Sequence, residues 1–371
     1  MSEPSADGPV IVAARRTPIR TARPPAIDPV ELAAAVLSAV AAELAEAGIT
    51  TVDDVVLGSA RGPGGNLARV SALAAGLGLE VPGVSVDRQC GSGLEAVRLA
   101  AALVGSGSAD VVLAGGVESA SAAAPGRAAF APPGFADPEM GVAAEDLARV
   151  AGISRARQDA YALRSHRLSA AAQDDGRFAA ELVPTAGITH DDRPRRRLTP
   201  AVLARIPAAF CPGGTVTAGN SCGISDGAAA LAVVSGRLAS GRAGLRIVGT
   251  AVAGVDPALP GLGPVPAIRN LLRTNGLSLD DVDALEITEA FAAQLLACTD
   301  ALGLDPSDVE DRVCAEGGAI GLGHPWAASG ALLMVRLFSR LVRHDGGRWG
   351  LAACAIGGGQ GIAVLTERVG S

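Results

Sequence analysis

The segment Val86–Val97, which reads VDRQCGSGLEAV, decides the predicted fold. A strand-like run ends at its start, and an apolar-periodic helix begins after its glycines, so Cys90 is predicted at a tight turn before a helix. The free N–H groups and positive end of a helix favour a thiolate there. Two interpretations of Cys90 remain: a nucleophile to which Gly91 and Gly93 leave access, or a buried, unreactive core cysteine.

The order of strands and helices around this segment recurs in the second part of the chain. LRIVGT resembles the first strand, LDDVDALEITEA resembles TVDDVVLGSA, HPWAASGALLMVRL resembles RQCGSGLEAVRLA, and WGLAACAIGGG resembles ADVVLAGG. Matched positions are roughly 230 to 240 residues apart, which indicates an internal duplication of a β-α-β-α-β unit. The alternative is two α/β halves that share only the pattern. Two such units packed through their helices predict a five-layered α/β/α/β/α fold.

Composition divides the chain further. Residues 117–212 are richer in Pro, Arg and Asp and poor in strand-like segments, so we expect an inserted loop domain there. Residues 1–116 and 213–241 would form the N-terminal half, with strands at Gly214–Ala218 and Ala228–Val234. Residues 242–371 would form the C-terminal half.

The overall composition excludes several classes of protein. The chain has 371 residues, 49% of them hydrophobic, which is enough for a large core. The net charge of −7 argues against nucleic acid or an anionic membrane as the main partner. No signal peptide or transmembrane segment is predicted, so we expect a cytoplasmic location. The six cysteines form no C-x-x-C pair, so neither a metal site nor a disulfide framework is expected.

The duplication would bring equivalent loops of the two halves together. The loop that holds Cys90 would face His324 in GGAIGLGHPWAASG, and a cysteine with a histidine is a nucleophile-and-base pair. The alternative for His324 is a loop histidine bonded to the backbone. Gly357–Gly359, after the last predicted buried strand, could direct N–H groups at a carbonyl oxygen as an oxyanion hole. A phosphate cradle is the alternative, although neither a P-loop nor a dinucleotide-binding spacing is present.

Taken together, these segments resemble the thiolase family. The matching stretches are VDRQCGSGLEAV, LAGGVESAS, MGVAAEDLA, GGTVTAGNSCGISDGAAA, TEAFAAQ, GGAIGLGHPWAASG and IGGGQGIA, and with RRTPI near the start they cover nearly the whole chain. The resemblance implies a duplicated thiolase fold with an inserted loop domain and a homodimer or homotetramer. It also implies coenzyme A and acyl-CoA as substrates, with no bound cofactor.

The resemblance also implies roles for individual residues. Cys90 would take the acyl group from an acyl-CoA. His324 would activate Cys90 and help to hold the thioester oxygen, and the N–H groups of Cys90 and Gly357 would form a second oxyanion hole. Further residues resemble those that line the pantetheine channel: Gly219, Asn220, Cys222 and Met140.

An arginine run in the insertion, Arg193–Arg197 with Arg195 at its centre, is a candidate contact for the phosphates of coenzyme A. Arginine clusters suit phosphate because the guanidinium binds it bidentately. The alternative is a solvated surface loop.

The sequence leaves the family pattern where the second half of the chemistry would occur. Thiolases usually place a second cysteine, the acid/base for α-proton transfer, directly before IGGG, where this chain has Ala355. Cys354 lies one residue earlier, and a one-residue shift in a strand reverses the face. We therefore expect Cys354 to point away from the site unless a bulge returns it. Thr288 replaces an asparagine that normally positions a water, and its hydroxyl reaches less far.

Two further departures concern the walls of the predicted pocket. Cys222 occupies a position where serine is usual, with Ser221 one residue earlier, which would weaken a hydrogen bond to pantetheine. Trp326 and Ala327 replace a usual Leu-Gly pair, and Trp326 adds bulk that would narrow or reshape the pocket.

Three functional hypotheses follow. The first is an acyl-CoA acyltransferase of thiolase type, which acylates Cys90 and passes the acyl group to coenzyme A or a carbon nucleophile. The second is a non-thiolytic acyltransferase or a decarboxylative condensing enzyme, which Ala355 and Thr288 favour. The third is a non-enzymatic acyl-CoA-binding protein, against which the Cys90–His324 pair argues.

Overall fold

Strands and helices alternate through residues 8–370, the part of the chain that the computed structural model describes. The prediction that the chain has no signal peptide concerns residues 1–7 in part, and these lie outside the described residues. The strands are β1 (Val10–Arg16), β2 (Arg20–Thr21), β3 (Asp54–Gly58), β4 (Val84–Val86), β5 (Val111–Ser119), β6 (Ser225–Val234), β7 (Gly244–Gly254), β8 (Ala284–Ile287), β9 (Trp349–Ile356) and β10 (Gln360–Val369). The α-helices are α1 (Pro29–Glu46), α2 (Leu67–Ala74), α3 (Ser92–Gly105), α4 (Met140–Val150), α5 (Arg155–Asp174), α6 (Pro200–Arg205), α7 (Gly236–Ala239), α8 (Pro264–Asn275), α9 (Ala292–Leu302), α10 (Pro306–Asp311), α11 (Ala319–Leu322) and α12 (Trp326–Phe338).

The main strands form one mixed sheet in the order β4-β3-β5-β6-β1-β7-β10-β9-β8, with β2 paired to β6. The two halves meet where β1 and β7 pair antiparallel at Val10–Arg246 and Ile11–Leu245. Read outward from this junction, β6, β5 and β3 on one side match β10, β9 and β8 on the other, with the same parallel and antiparallel pairings. A parallel bridge from Leu285 to Val313 takes the place of β4. The topology therefore supports the duplication.

Helices cover both faces of each half-sheet because successive strand residues point to opposite sides. Helices α1 and α2 pack on the outer face of the first half, α3 and α12 lie between the halves, and α8 and α9 pack on the outer face of the second. In β3, for example, Val55 and Leu57 join the outer core and Val56 joins the central one. The predicted five-layered α/β fold is confirmed.

The two central helices approach each other closely at their first turns. A Cβ atom on Gly93 would lie 2.6 Å from the Ala331 nitrogen, and one on Gly330 would lie 2.4 Å from the Leu94 nitrogen. Only glycine fits at such a backbone contact, which explains the Ser-Gly pair that recurs in both halves. The contact brings together the loops before α3 and α12, where Cys90 and His324 lie.

The segment between β5 and β6 carries α4, α5 and α6, and the predicted domain boundaries stay a prediction. The strand expected at Gly214–Ala218 is wrong, since Thr217 forms only an isolated bridge to Ala208. The reason is local: the Glu145 carboxylate accepts the N–H groups of Thr215 and Val216, so side chains bond backbone that a ladder would otherwise pair. Within residues 8–370, no helix is both long and apolar enough to cross a membrane.

Candidate active site

Cys90 lies in the wall of a cavity of about 220 Å³ at the ends of the two central helices. The walls come from the loop after β3, the turn before α3, the inserted segment, the starts of α4 and α12, and the end of β9. The lining residues are Ala60, Arg61, Gln89, Cys90, Arg127, Ala128, Phe130, Glu139, Met140, Trp326 and Gly357. The cavity therefore contains Cys90, Met140 and Gly357 of the predicted site residues, as well as Trp326.

The turn that presents Cys90 is held by hydrogen bonds within its own half and by packing against the second half. Gln89–Gly91 forms one turn of 3₁₀ helix directly before α3, and Gln89 takes the left-handed conformation with φ 47°. The Asp87 carboxylate accepts the Gln89 N–H at 2.7 Å, and the Ser92 hydroxyl donates to the Gln89 carbonyl at 2.6 Å. A Cβ on Gly91 would lie 2.5 Å from the Ile356 side chain. The nucleophile position is thus fixed by local bonds and close packing.

The expectation that the helix end favours a Cys90 thiolate is wrong. Burial raises the pKa of the Cys90 thiol well above its ordinary value, and the neighbouring Cys354, Cys222 and Glu118 raise it further. Only a backbone hydrogen bond at Cys90 itself opposes this rise. Since loss of hydration disfavours the charged form, the resting group is a neutral thiol that needs a base.

His324 has the properties of such a base. Its side chain is buried, Nδ1 lies 2.6 Å from the Ser329 hydroxyl in the first turn of α12, and its backbone N–H donates to the Gly223 carbonyl at 2.9 Å. Burial lowers the pKa of His324 to about 4, so the ring is neutral at physiological pH. The bond to Ser329 leaves Nε2 as the ring nitrogen for proton transfer. Within residues 8–370, Cys90 Sγ and His324 do not hydrogen bond directly.

Cys354 lies closer to Cys90 than the alternation of a strand predicted. Its Sγ donates to the Cys90 carbonyl at 3.3 Å, and the β9–β10 register runs past it without a bulge. Its face of β9 packs on the central helices, so the side chain lies beneath the Cys90 backbone, and its predicted orientation relative to the substrate stays a prediction. Even so, Cys354 is fully buried and does not line the cavity, and burial raises its pKa to about 12.

Thr288 connects this region to His324. Its backbone N–H donates to the Ala353 carbonyl at 3.1 Å, while its buried hydroxyl oxygen has no partner among the described residues. The same hydroxyl lies beside Cys354 and opposes the rise in the pKa of that thiol. It also borders a small cavity of about 30 Å³ that reaches Ser329, the partner of His324, and that is large enough for one water molecule.

The predicted pantetheine residues separate into two groups. Met140 lines the cavity and Cys222 is half-buried, with burial raising the pKa of Cys222 to about 11. Asn220 is turned into the protein, where its amide donates to the Asp159 carboxylate at 2.9 Å and its oxygen accepts the Thr217 N–H. Gly219 donates its N–H to the Thr217 hydroxyl in the same loop. Asn220 and Gly219 therefore shape the loop that presents Cys222.

The arginine run is divided by the fold. Arg193 is buried and donates to the carbonyls of Ile320 and Ser221, so it is not a free phosphate contact. Arg196 pairs with Asp174 at 2.8 Å. Arg195 is exposed, and its role toward coenzyme A stays a prediction.

Glu118 is a functional candidate that the sequence reasoning missed. It is 1% exposed in strand β5, and its carboxylate accepts the N–H groups of Ala60, Arg61 and Ala327 at 3.1 to 3.4 Å. Burial raises its pKa to about 7. The carboxylate thus joins the loop after β3 to the start of α12. A lone acid within LAGGVES was the signal that could have revealed it.

Metal binding has no evident place in this arrangement. Across residues 8–370, no group of three or more His, Cys, Asp or Glu side chains could hold a metal ion.

Comparison with known proteins identifies the family. The family model for the thiolase N-terminal domain matches residues 9–237, and that for the thiolase C-terminal domain matches residues 242–368. The chain belongs to the thiolase family. The boundary between the two family domains falls between β6 and β7, beside the junction of the half-sheets.

Several thiolases are similar along almost their whole length. The acetyl-CoA acetyltransferase of Escherichia coli K12 is 41% identical over an alignment of 401 positions, which covers 97% of this chain and 99% of the relative. The beta-ketoadipyl-CoA thiolase of Acinetobacter baylyi is 40% identical, over 86% of this chain and 88% of the relative. The crystal structure of the Bacillus anthracis acetyl-CoA acetyltransferase matches with a TM-score of 0.90 and 37% identity, over 99% of this chain and 100% of that one. This thiolase is therefore an acyltransferase.

Proposed function

We propose that this thiolase forms an acyl-cysteine at Cys90 from an acyl-CoA or 3-ketoacyl-CoA and passes the acyl group to coenzyme A or a carbon nucleophile. The observation that carries the proposal is the position of Cys90 in a cavity whose walls come from both halves of the duplicated chain. His324 ends the equivalent loop of the second half, and Trp326, two residues later, lines the same cavity.

Acylation begins with a proton transfer, because the Cys90 thiol is neutral at rest. The thiol proton passes to Nε2 of His324, and Sγ attacks the thioester carbonyl carbon. The tetrahedral oxyanion would be held by the N–H groups of Cys90 and Gly357, as the family resemblance implies. The carbon–sulfur bond to coenzyme A then breaks, and the leaving thiolate takes the proton from His324.

Carbon–carbon bond cleavage or formation needs a second acid/base, and this requirement separates the two proposals. Thiolysis of a 3-ketoacyl-CoA releases a carbanion that must be protonated, and the reverse condensation removes an α-proton. Ala355 can do neither, while Cys354 is buried beneath Cys90 with a raised pKa. These observations favour the second proposal, acyl transfer without thiolysis or a decarboxylative condensation in which loss of CO₂ generates the carbanion.

We also propose that the thiolase is a cytoplasmic homodimer or homotetramer. Strand β4 is the edge of the sheet, and Val84 on it is 44% exposed. Leu79, just before it, is 82% exposed, and Val70 and Leu73 on α2 are also exposed. An open sheet edge beside apolar side chains is a surface that a second copy of the chain would cover.

The test is the acylation of Cys90. Incubation with acetyl-CoA and with longer acyl-CoAs should add the acyl mass to the peptide that contains Cys90, as measured by mass spectrometry. Cys90→Ser should lose the adduct, and Cys354→Ala should keep it. Absence of an adduct with every thioester would contradict both enzymatic proposals.

A second assay separates the two proposals. With acetoacetyl-CoA and coenzyme A, Ala355→Cys should raise thiolysis if the missing acid/base limits the rate. An unchanged rate would count against that idea. If the wild type already cleaves acetoacetyl-CoA and Cys354→Ala abolishes the activity, Cys354 is the acid/base.

A further inference from the structure

We propose that Arg61 makes this thiolase select acyl chains that end in a carboxylate, so that its substrate class is ω-carboxyacyl-CoA thioesters. The inference rests on the proposed function, because it assigns the part of the substrate that enters the cavity with Cys90.

Arg61 is placed to reach the acyl chain. It follows β3, it lines the cavity that contains Cys90, and its side chain is half-buried. Its guanidinium lies over the ring of Trp326, 5.7 Å from the centroid, and donates to the Ala124 carbonyl. These contacts hold the cation at the cavity wall.

Within the described chain, the guanidinium of Arg61 is not paired directly with a carboxylate, although its charge acts on the nearby Glu118. Among residues 8–370 its guanidinium forms no ion pair with a carboxylate. The nearby Glu118 carboxylate accepts the backbone N–H of Arg61 instead. The second arginine of the cavity, Arg127, differs, since Asp137 binds its guanidinium and Glu139 lies 3.7 Å from its Nε.

Trp326 explains why the cation stays in place. An indole under a guanidinium gives a cation–π contact and removes one face of the guanidinium from water, which strengthens its attraction for an anion. Arg61 belongs to the first half of the sheet and Trp326 to the second, so the contact closes the cavity wall across the junction. Trp326 thus positions Arg61, and its bulk also narrows the cavity.

The position of Arg61 indicates which anion it binds. An acyl-CoA carries negative charge on its phosphates and on any acid at the end of its acyl chain. The phosphates lie a whole pantetheine arm away from the thioester, whereas Arg61 shares one cavity with the sulfur that attacks the thioester. A carboxylate at the chain end suits the planar guanidinium because it can accept two parallel hydrogen bonds.

The experiment compares pairs of thioesters of equal chain length: succinyl-CoA with butyryl-CoA, and adipyl-CoA with hexanoyl-CoA. In at least one of the two pairs, the second-order rate constant for acylation of Cys90 should be at least about tenfold higher for the thioester that carries the carboxylate. Arg61→Met should lower that rate by about 10- to 150-fold, the range for the loss of one charge-assisted hydrogen bond. The same variant should change the neutral-chain rate less than about threefold, and Arg61→Lys should restore part of the preference.

Arg237→Met is the matched control, because it removes an exposed arginine that pairs with Asp110 outside the cavity; all its rates should equal those of the wild type. Equal wild-type rates for both members of every pair, or an equal loss for both in Arg61→Met, would overturn the inference while the acylation of Cys90 still supports the proposed function.

If no thioester acylates Cys90, the proposed function fails, and calorimetric binding of adipyl-CoA and hexanoyl-CoA decides the inference. Tighter binding of adipyl-CoA that is lost in Arg61→Met would support it, and equal binding would reject it.

Discussion

The loops before α3 and α12 occupy equivalent places in the duplicated fold, yet they carry opposite chemistry. One ends in the acid Cys90 and the other in the base His324, and both side chains lie largely out of water. Burial disfavours the charged form of each, so it raises the pKa of the thiol and lowers the pKa of the imidazole. The same desolvation therefore makes a neutral pair, in which the proton moves only when a substrate is attacked.

The two loops also differ in what holds them. The Cys90 turn has side-chain bonds within its own half, through Asp87 and Ser92, and one bond from Cys354 of the second half. The His324 loop is bonded across the junction, through the Gly223 carbonyl to the His324 N–H and through the Glu118 carboxylate to the Ala327 N–H. The position of the base therefore depends on the first half of the chain.

The largest expected effect is that of removing the base. In His324→Gln, the rate of Cys90 acylation should fall by about 10²- to 10⁴-fold, because the neutral thiol loses its proton acceptor. The rate is measured by quenching the reaction at set times and quantifying the acylated peptide by mass spectrometry. A loss smaller than tenfold would show that another group takes the proton and that the two loops do not act as a pair.

The bond across the junction predicts a pH effect on stability. The pKa of Glu118 is raised from 4.5 to about 7, so its contribution to stability is complete below pH 4.5 and is lost as the pH rises to about 7. The free energy of unfolding of the wild type should therefore fall by up to about 3 kcal/mol over that range, relative to Glu118→Gln.

Urea unfolding at several pH values measures this difference. Glu139→Gln removes an exposed carboxylate and serves as the control, and its curve should run parallel to that of the wild type. If the free energy of unfolding of Glu118→Gln also changed with pH in parallel to that of the wild type, the Glu118 carboxyl would not have the raised pKa that its burial predicts.

The smallest expected effect concerns the local support of His324. Ser329→Ala removes the partner of Nδ1 at 2.6 Å, and the rate of Cys90 acylation should fall by about 2- to 12-fold, as expected for one neutral hydrogen bond. The exposed Ser106→Ala should have no effect on the same rate. A loss as large as that of His324→Gln would mean that Ser329 does more than orient the ring.

The fold was predictable because it depends on local patterns that repeat. The apolar periodicity of α3 and α12, the glycines before them and the strand runs at β5 and β9 are all local, and they led to the five layers and to the facing of the two loops. One failed prediction and one contact that the sequence did not reveal depend on neighbours distant in sequence. Gly214–Ala218 is not a strand because Glu145 bonds its backbone, and Cys354 lies under Cys90 because β9 packs on the central helices.

The order of residues specifies which groups are present and which of them share a loop or a strand: a thiol at Cys90, an imidazole at His324, and an alanine at residue 355. Their protonation and access depend on the packing of the folded chain. Depth of burial follows from the packing of both halves, and it makes Cys90 a neutral thiol, keeps His324 unprotonated and removes Cys354 from the cavity. The same packing leaves the Arg61 guanidinium in the cavity wall without a direct ion pair among residues 8–370, because Glu118 bonds its backbone and Trp326 covers its guanidinium.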